Sequence, residues 1–384
     1  MNGSTVVARY LLGVLTVAGL ISVVGGPGGA TPGAEQEAVI ARGVDVASAG
    51  GPDERRLIEA VRTASERAGD ASELVIDYPL DGSVFPPDMV APRVLWHDPA
   101  ARADRWVVEV TLPGEARVWV LTRGASPPTG EIDERALGET NEVYEPTPYQ
   151  ASARSWLPGD GVWRAIKDRS VDRSAVITIL GVDSEAPETI LSRGRVTITT
   201  SADPVGAPIF YRDVPLMPSM TEKNVIKPLS AQALPLIAWR LRDVSRSRSR
   251  VVLESMPTCA NCHSFSRDGR TLGMDMDGPD GDKGAYALAP IRPQTKISHD
   301  DVISWNAFEE KPENHRTIGF LSQISPDGQY AVTTLNEELY VANFLDYRFL
   351  QVFYPTRGIL AYYSRKSDEM RPLPGASDPE YVHC

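Results

Sequence analysis

Short β-branched runs, cut every few residues by proline or glycine, constrain this chain more than any other feature. Arg105-Trp-Val-Val-Glu-Val110, Arg117-Val-Trp-Val-Leu121, Val176-Ile-Thr-Ile-Leu180 and Arg195-Val-Thr-Ile-Thr-Thr200 are strand-length, and 31 Pro and 31 Gly spread along the sequence leave little room for long helices. Glu73-Leu-Val-Ile-Asp77 opens the series, with Pro79, Gly82, Pro86 and Pro87 as turn punctuation. The pattern predicts an all-β chain. Over 72–202 it predicts a β-sandwich of immunoglobulin or fibronectin type. At 384 residues the chain has material for about two domains, or three.

Upstream, residues 1–34 read as an address. Arg9 supplies a basic start, Leu11 to Val24 an apolar stretch, and Gly28, Gly29 and Ala30 a cleavage-type sequence. The apolar run is short of the roughly 20 residues a span requires. A cleaved signal peptide is the first reading, with an uncleaved anchor and a buried helix as the alternatives. Export places the chain in the periplasm or cell envelope. Residues 35–71 form a linker and one short N-terminal helix, in which Leu57, Ile58, Val61 and Ala64 recur at helical spacing, Asp53 is the N-cap and Gly69 follows the end. The net charge of -12 repels phosphate backbones, so nucleic acid is excluded as a partner, and membrane contact is restricted to an uncleaved anchor.

A Pro-studded bridge covers 203–254, with Pro204, Pro208, Pro215, Pro218, Pro228 and Pro235 leading to the strand-like Leu236-Ile-Ala-Trp-Arg240. The arginines 240, 242, 246, 248 and 250 read as a solvated loop, with docking to an acidic redox partner as the alternative. Farther on, Ser266-Arg-Asp-Gly269 and Ser325-Pro-Asp-Gly328 each precede a strand-like stretch, as an Asp-Gly turn between antiparallel strands does. The repeat resembles the TolB-type β-propeller family over about 255–384, whose blades begin with a Ser-Pro-Asp-Gly turn. The resemblance implies an incomplete propeller of about two blades and a C-terminally truncated chain, with Cys384 unpaired.

Cys259-Ala-Asn-Cys262-His263 carries the chemistry. Two thiols two residues apart can add to the two vinyl groups of one haem, and the adjacent imidazole then ligates the iron. With 3 Cys and 5 His in the chain, this pentad rarely arises by chance. A structural zinc site needs a second ligand pair, which the sequence lacks. A thioredoxin-like pair needs a helix after the first Cys, where Ser266-Arg-Asp-Gly269 makes a turn instead. A disulfide clip stays open. The stretch from Pro257 to Gly278, with Asp282-Lys-Gly-Ala-Tyr286, resembles a group of exported bacterial haem-binding proteins in which a cytochrome c motif is fused to the first blade of a TolB-like propeller. Tyr78-Pro-Leu-Asp-Gly-Ser-Val-Phe-Pro-Pro87 and Pro208-Ile-Phe-Tyr-Arg-Asp-Val-Pro215 extend the resemblance from about 75 to the end. It implies one covalent haem c per chain, held by Cys259 and Cys262.

Leu272, Met274 and Met276 share one strand face. Met274 is the first candidate for a sixth iron ligand, followed by Met276, His299 and His315. A core-facing methionine and an open sixth position are the alternatives. Met256 is too close to Cys259 to reach the far face, and His97, in Trp96-His97-Asp98, reads as a turn residue. Asp275 to Asp282 fails the calcium-loop template, which needs Gly and Glu where Asp280 and Tyr286 stand. It reads as a polar hairpin loop. The functional expectation is a monohaem protein for electron transfer or for redox or ligand sensing, with an unidentified redox partner. The alternative is an envelope binding protein whose loops hold glycan or protein, with haem structural or absent. Neither a Gly-x-Ser-x-Gly elbow nor a His-Glu-x-x-His helix is present, so an electron-transfer role is favoured over catalysis.

Overall fold

The computed structural model describes residues 38–47, 49–67, 71–128, 133–136, 145–214, 232–256, 260–279, 282–292, 297–310, 318–343 and 351–378. Residues 1–37, Cys259, His315, Cys384 and residues 215–231 of the Pro-studded bridge lie outside them. The chain is all-β, with helices used as covers.

Two sheets face each other in the N-terminal part. The larger runs β1 (Ala38–Arg42), β7 (Arg117–Thr122), β6 (Arg105–Thr111), β9 (Ala175–Val182), β10 (Ile190–Thr200) and β2 (Ser72–Glu73), with β4 (Ser83–Phe85) also paired to β10. The smaller is β3 (Val75–Tyr78), β5 (Val94–His97) and β8 (Arg154–Trp156). Val108, Val110, Val118, Val120, Ile177 and Ile179 of the large sheet meet Val94, Trp96 and Trp156 of the small one, with Trp163 and Ile166 from helix α3 (Asp160–Arg169). The other face of the large sheet is covered by helix α1 (Pro52–Ser65), which buries Ile58 and Val61 against Val107, Trp119 and Leu180. Burial of each of those two side chains stabilises by about 1.5–3 kcal/mol. Because both faces are covered, β6 reads as a nearly unbroken apolar run and not as a strict alternation.

Three features differ from the sequence reading. β1, from the segment taken as linker, pairs along β7 from Ala38 opposite Leu121 to Arg42 opposite Arg117. Helix α1 is joined by α2 (Pro148–Ser152) and α3, so the helix count among the described residues is three. The N-cap of α1 is Gly51, whose N–H donates to the Glu54 carboxylate at 2.8 Å, while Asp53 lies inside the first turn.

The C-terminal part is a series of antiparallel meanders. β11 (Ile209–Asp213), β12 (Ala238–Arg242) and β13 (Arg250–Glu254) form the first, from the segment read as a bridge. Arginines at alternate positions of β12 and its hairpin hide the strand period there. β14 (Ala260–Phe265), β15 (Thr271–Met276), β16 (Ala285–Pro290) and β17 (Val302–Ser304) form the second. β18 (Ile318–Ile324), β19 (Tyr330–Asn343), β20 (Gln351–Ser364) and β21 (Glu369–Pro372) form the third. Two four-stranded meanders thus occupy the segment read as about two blades, and a three-stranded one occupies the segment read as a bridge. The first packs on the second through Trp239, Leu253 and Met256 against Leu272, Met274 and Met276. The second packs on the third through Tyr286, Leu288 and Trp305 against Ile324, Ala331 and Leu335.

The repeated turns match atom for atom. In the first, Ser266 Oγ donates to Asp268 at 2.7 Å, and Asp268 also accepts from the Arg270 N–H at 3.0 Å. In the second, Ser325 donates to Asp327 at 2.5 Å, which accepts from the Gln329 N–H at 3.0 Å. Gly269 and Gly328 sit at φ +66° and +71°, the left-handed conformation that glycine adopts without a Cβ clash. The Arg267 N–H donates to the Pro326 carbonyl at 2.8 Å, which ties the two turns together across neighbouring sheets.

Candidate functional site

Strand β14 begins at Ala260 and carries two of the three members of the cysteine–histidine pentad that were expected to act. Its register against β15 is interrupted: Asn261 opposes Asp275 and His263 opposes Met274, so Cys262 is an extra residue on the β14 side. Cys262 takes φ +40°, in the left-handed region. A regular strand sends consecutive side chains to opposite faces. The inserted residue cancels that alternation, so Cys262 and His263 together oppose Met274. A thiol and an imidazole needed by one ligand are thereby brought to the same side of the sheet.

That side faces the first meander. The His263 ring lies edge-on to Phe210 of β11, with centroids 4.5 Å apart, and Phe265 lies 6.0 Å away. Phe210 and Phe265 also contact each other at 5.2 Å. Burial among these rings pushes the His263 imidazolium below the ordinary histidine range, an effect partly offset by a hydrogen bond to the Phe210 backbone. The ring is therefore neutral at pH 7, the form in which a histidine ligates a metal. Its Nδ1 is buried without a hydrogen-bond partner. A cysteine thiol beside a neutral imidazole is the pair of donor types that a covalently held haem would use.

Met274 and His263 are direct register partners, and directly opposed side chains leave a sheet side by side, with Cβ atoms about 4.5–5.5 Å apart. Met274 is fully buried in the core between the first two meanders. Met276, opposite Ala260, lies in the same core. His299 is exposed in a short 3-10 turn before β17, at the opposite edge of the sheet from β14.

The acidic loop after β15 is spent on its own turn. Asp282 accepts from Ser304 Oγ at 2.5 Å, from the Gly284 N–H at 2.8 Å and from the Asn306 side-chain amide, and Lys283 pairs with Asp277 at 2.5 Å. Among the described residues, no three His, Cys, Asp or Glu side chains converge as a metal site. The arginine run is partly neutralised, by Arg240–Asp213 at 2.5 Å and Arg246–Asp243 at 3.4 Å. Arg246, Arg248 and Arg250 line a cleft of about 580 Å³ together with Asp88 and Asp243. His97, expected in a turn, ends strand β5.

An all-β chain in which consecutive meanders hold a cysteine–histidine bulge is the class that fold and site define. Neither protein-family models nor characterised proteins yield a match to the sequence.

Proposed function

We propose that the chain is an exported c-type monohaem protein, with one haem held covalently by Cys259 and Cys262 and ligated by His263. The observation that carries this reading is the β14 bulge, which sets Cys262 and a neutral His263 on one side and leaves the imidazole Nδ1 buried without a partner. The bound haem would supply reversible one-electron chemistry and the capacity to hold a small diatomic ligand. The chain's own residues have simpler tasks. Phe210 and Phe265 pack edge-on against the imidazole. The hydrogen bond at the Phe210 backbone orients the ring, as outer partners do for metal-bound histidines.

Among the described candidates for a sixth ligand, Met274 and Met276 sit in the core and His299 at the far edge, while His315 lies outside the described residues, so the reading covers both electron transfer and redox or ligand sensing. The three consecutive meanders and the paired Ser-x-Asp-Gly turns support reading the C-terminal part as propeller blades, and the two facing sheets upstream support the sandwich reading. Export rests on the sequence of residues 1–34.

The test is expression with haem-maturation machinery, followed by spectra of the denatured, reduced chain. A haem chromophore that stays with the polypeptide is expected, and its loss on Cys262→Ala. A colourless chain from a strain that matures a control cytochrome rejects the proposal. Carbon monoxide binding to the reduced protein then separates sensing, with rapid uptake, from electron transfer, with none.

A further inference from the structure

Far from the pentad, three residues of the N-terminal part meet in an arrangement that no local motif announces. Strand β5 ends at His97, and its neighbour β3 carries Asp77 as an extra residue between the pairs Ile76–Trp96 and Tyr78–Leu95. This bulge re-aims the Asp77 carboxylate. On the other side, β8 pairs antiparallel to β5 with Arg154 opposite Trp96, which brings the end of helix α2, and Ser152, alongside the end of β5.

The resulting contacts form a relay. Ser152 Oγ lies 2.9 Å from His97 Nδ1. His97 Nε2 lies 2.8 Å from Asp77 Oδ2. The other carboxylate oxygen of Asp77 accepts from the Tyr149 hydroxyl at 2.8 Å. The Tyr149 ring stacks on the imidazole, with centroids 3.6 Å apart and planes at 22°. The carboxylate at Nε2 fixes the ring hydrogen there and leaves Nδ1 as the acceptor that faces the serine. Ser152 Oγ is also 2.8 Å from the Tyr149 carbonyl, so its one proton has two acceptors. His97 is mostly covered, with 12% of its side chain accessible, whereas Ser152 is exposed. The nucleophile is open to solvent and its base is held from behind.

We propose that Ser152, His97 and Asp77 form a nucleophile, base and orienting carboxylate that cleave acyl esters through an acyl-serine. The logic is that of hydrolytic triads, which are defined by geometry and role and not by chain order. The Ser152 oxygen bonds to the ester carbonyl carbon as its proton passes to His97 Nδ1. The adduct collapses by breaking the ester C–O bond, and the leaving alkoxide takes the proton from His97. A water molecule, deprotonated by His97, then attacks the acyl carbon and releases the carboxylic acid, returning the proton to Ser152. The aromatic face of Tyr149 stabilises the imidazolium that forms twice in the cycle. Because Ser152 lies at an open surface, the substrate class is an acyl group displayed on a larger molecule, and an oxygen leaving group is assigned since it departs with less assistance than an amine.

The test uses the purified full chain with a fluorophosphonate probe and with p-nitrophenyl butyrate. Peptide mapping is expected to place one probe equivalent on Ser152. Ser152→Ala, at an exposed position that leaves the fold intact, is expected to abolish that label and lower ester turnover at least about 100-fold. His97→Gln is expected to lower labelling and turnover by about 100-fold or more. Folding of each variant is checked by circular dichroism. If His97→Gln fails to fold, the Ser152→Ala pair of readings decides alone. Label on other residues only, or parent-level turnover by Ser152→Ala, overturns the proposal.

Discussion

His263 and Met274 are direct cross-strand partners in the β14–β15 pair, so their side chains leave the sheet side by side. Substitution of Met274 by Leu keeps volume and apolarity, so it is expected to change stability by less than about 1.5 kcal/mol. It is also expected to leave the absorption spectrum and carbon monoxide uptake of the haem-loaded protein as they were. Met274→Ala opens a cavity in a fully buried position and is expected to cost about 2–5 kcal/mol. Spectra recorded beside urea titrations check both. A spectral change in Met274→Leu would return this methionine to the iron.

What the sequence disclosed follows from how local each signal is. The cores of β6, β7, β9 and β10 were legible because β-branched runs fix strands locally, and α1 was legible from the spacing of Ile58, Val61 and Ala64. Strand β1 was not, because Ala-Val-Ile-Ala-Arg acquires its meaning only from its pairing with β7. The pentad could be read directly, yet the bulge at Cys262 could not, since register is a property of two strands. Asp77, His97 and Ser152 lie on three separate elements with no common motif. Only the order β3, β5, β8 of the small sheet brings them together.

The paired turns predict a graded response to one substitution. Gly269 and Gly328 both adopt left-handed backbone, so alanine at either is expected to cost about 1–2 kcal/mol. Around Gly269 a new Cβ meets nothing within 4 Å, whereas at Gly328 it meets Thr271 Oγ1 at 3.3 Å and Ser266 Cβ at 3.5 Å. Gly328→Ala is therefore expected to lower the urea midpoint further than Gly269→Ala. Equal shifts would show that the turns do not press on each other.

Gly319 of the third meander lies against the indole of Trp305, which follows β17 of the second. A Cβ there would overlap Cδ1 of Trp305, whose indole is fully buried and donates to Ser322 Oγ at 3.1 Å. The indole has no free end to swing away, so Gly319→Ala is expected to destabilise by about 1–3 kcal/mol or more. Thermal unfolding followed by Trp fluorescence reads the effect. A smaller side chain at position 305 in the double variant Gly319→Ala/Trp305→Leu is expected to restore part of the loss through non-additivity.

Asp275 supplies the pH dependence of the same seam. Its carboxylate accepts from Ser322 Oγ at 2.8 Å and from the Ser322 N–H at 3.1 Å, joining β15 to β18. Tyr286 of the neighbouring strand also faces it, and burial pushes that phenol upward as well. Burial raises the Asp275 carboxyl from 3.8 to about 6, against the two hydrogen bonds, which lower it. The folded chain thus binds this proton more tightly than the unfolded chain. The resulting stabilisation is complete below about pH 3.8 and is lost as pH rises through about 6. A shift of this size corresponds to an order of 3 kcal/mol. Asp275→Asn keeps a carbonyl oxygen for the Ser322 N–H and cannot ionise, so its stability relative to the parent is expected to improve between about pH 3.8 and about pH 6 and to level off above that, up to about pH 7.5. Groups distant from the seam titrate alike in both chains and cancel in the difference. Urea titrations across that range give the comparison directly, and parallel curves for the two proteins would mean that Asp275 is not the group that titrates.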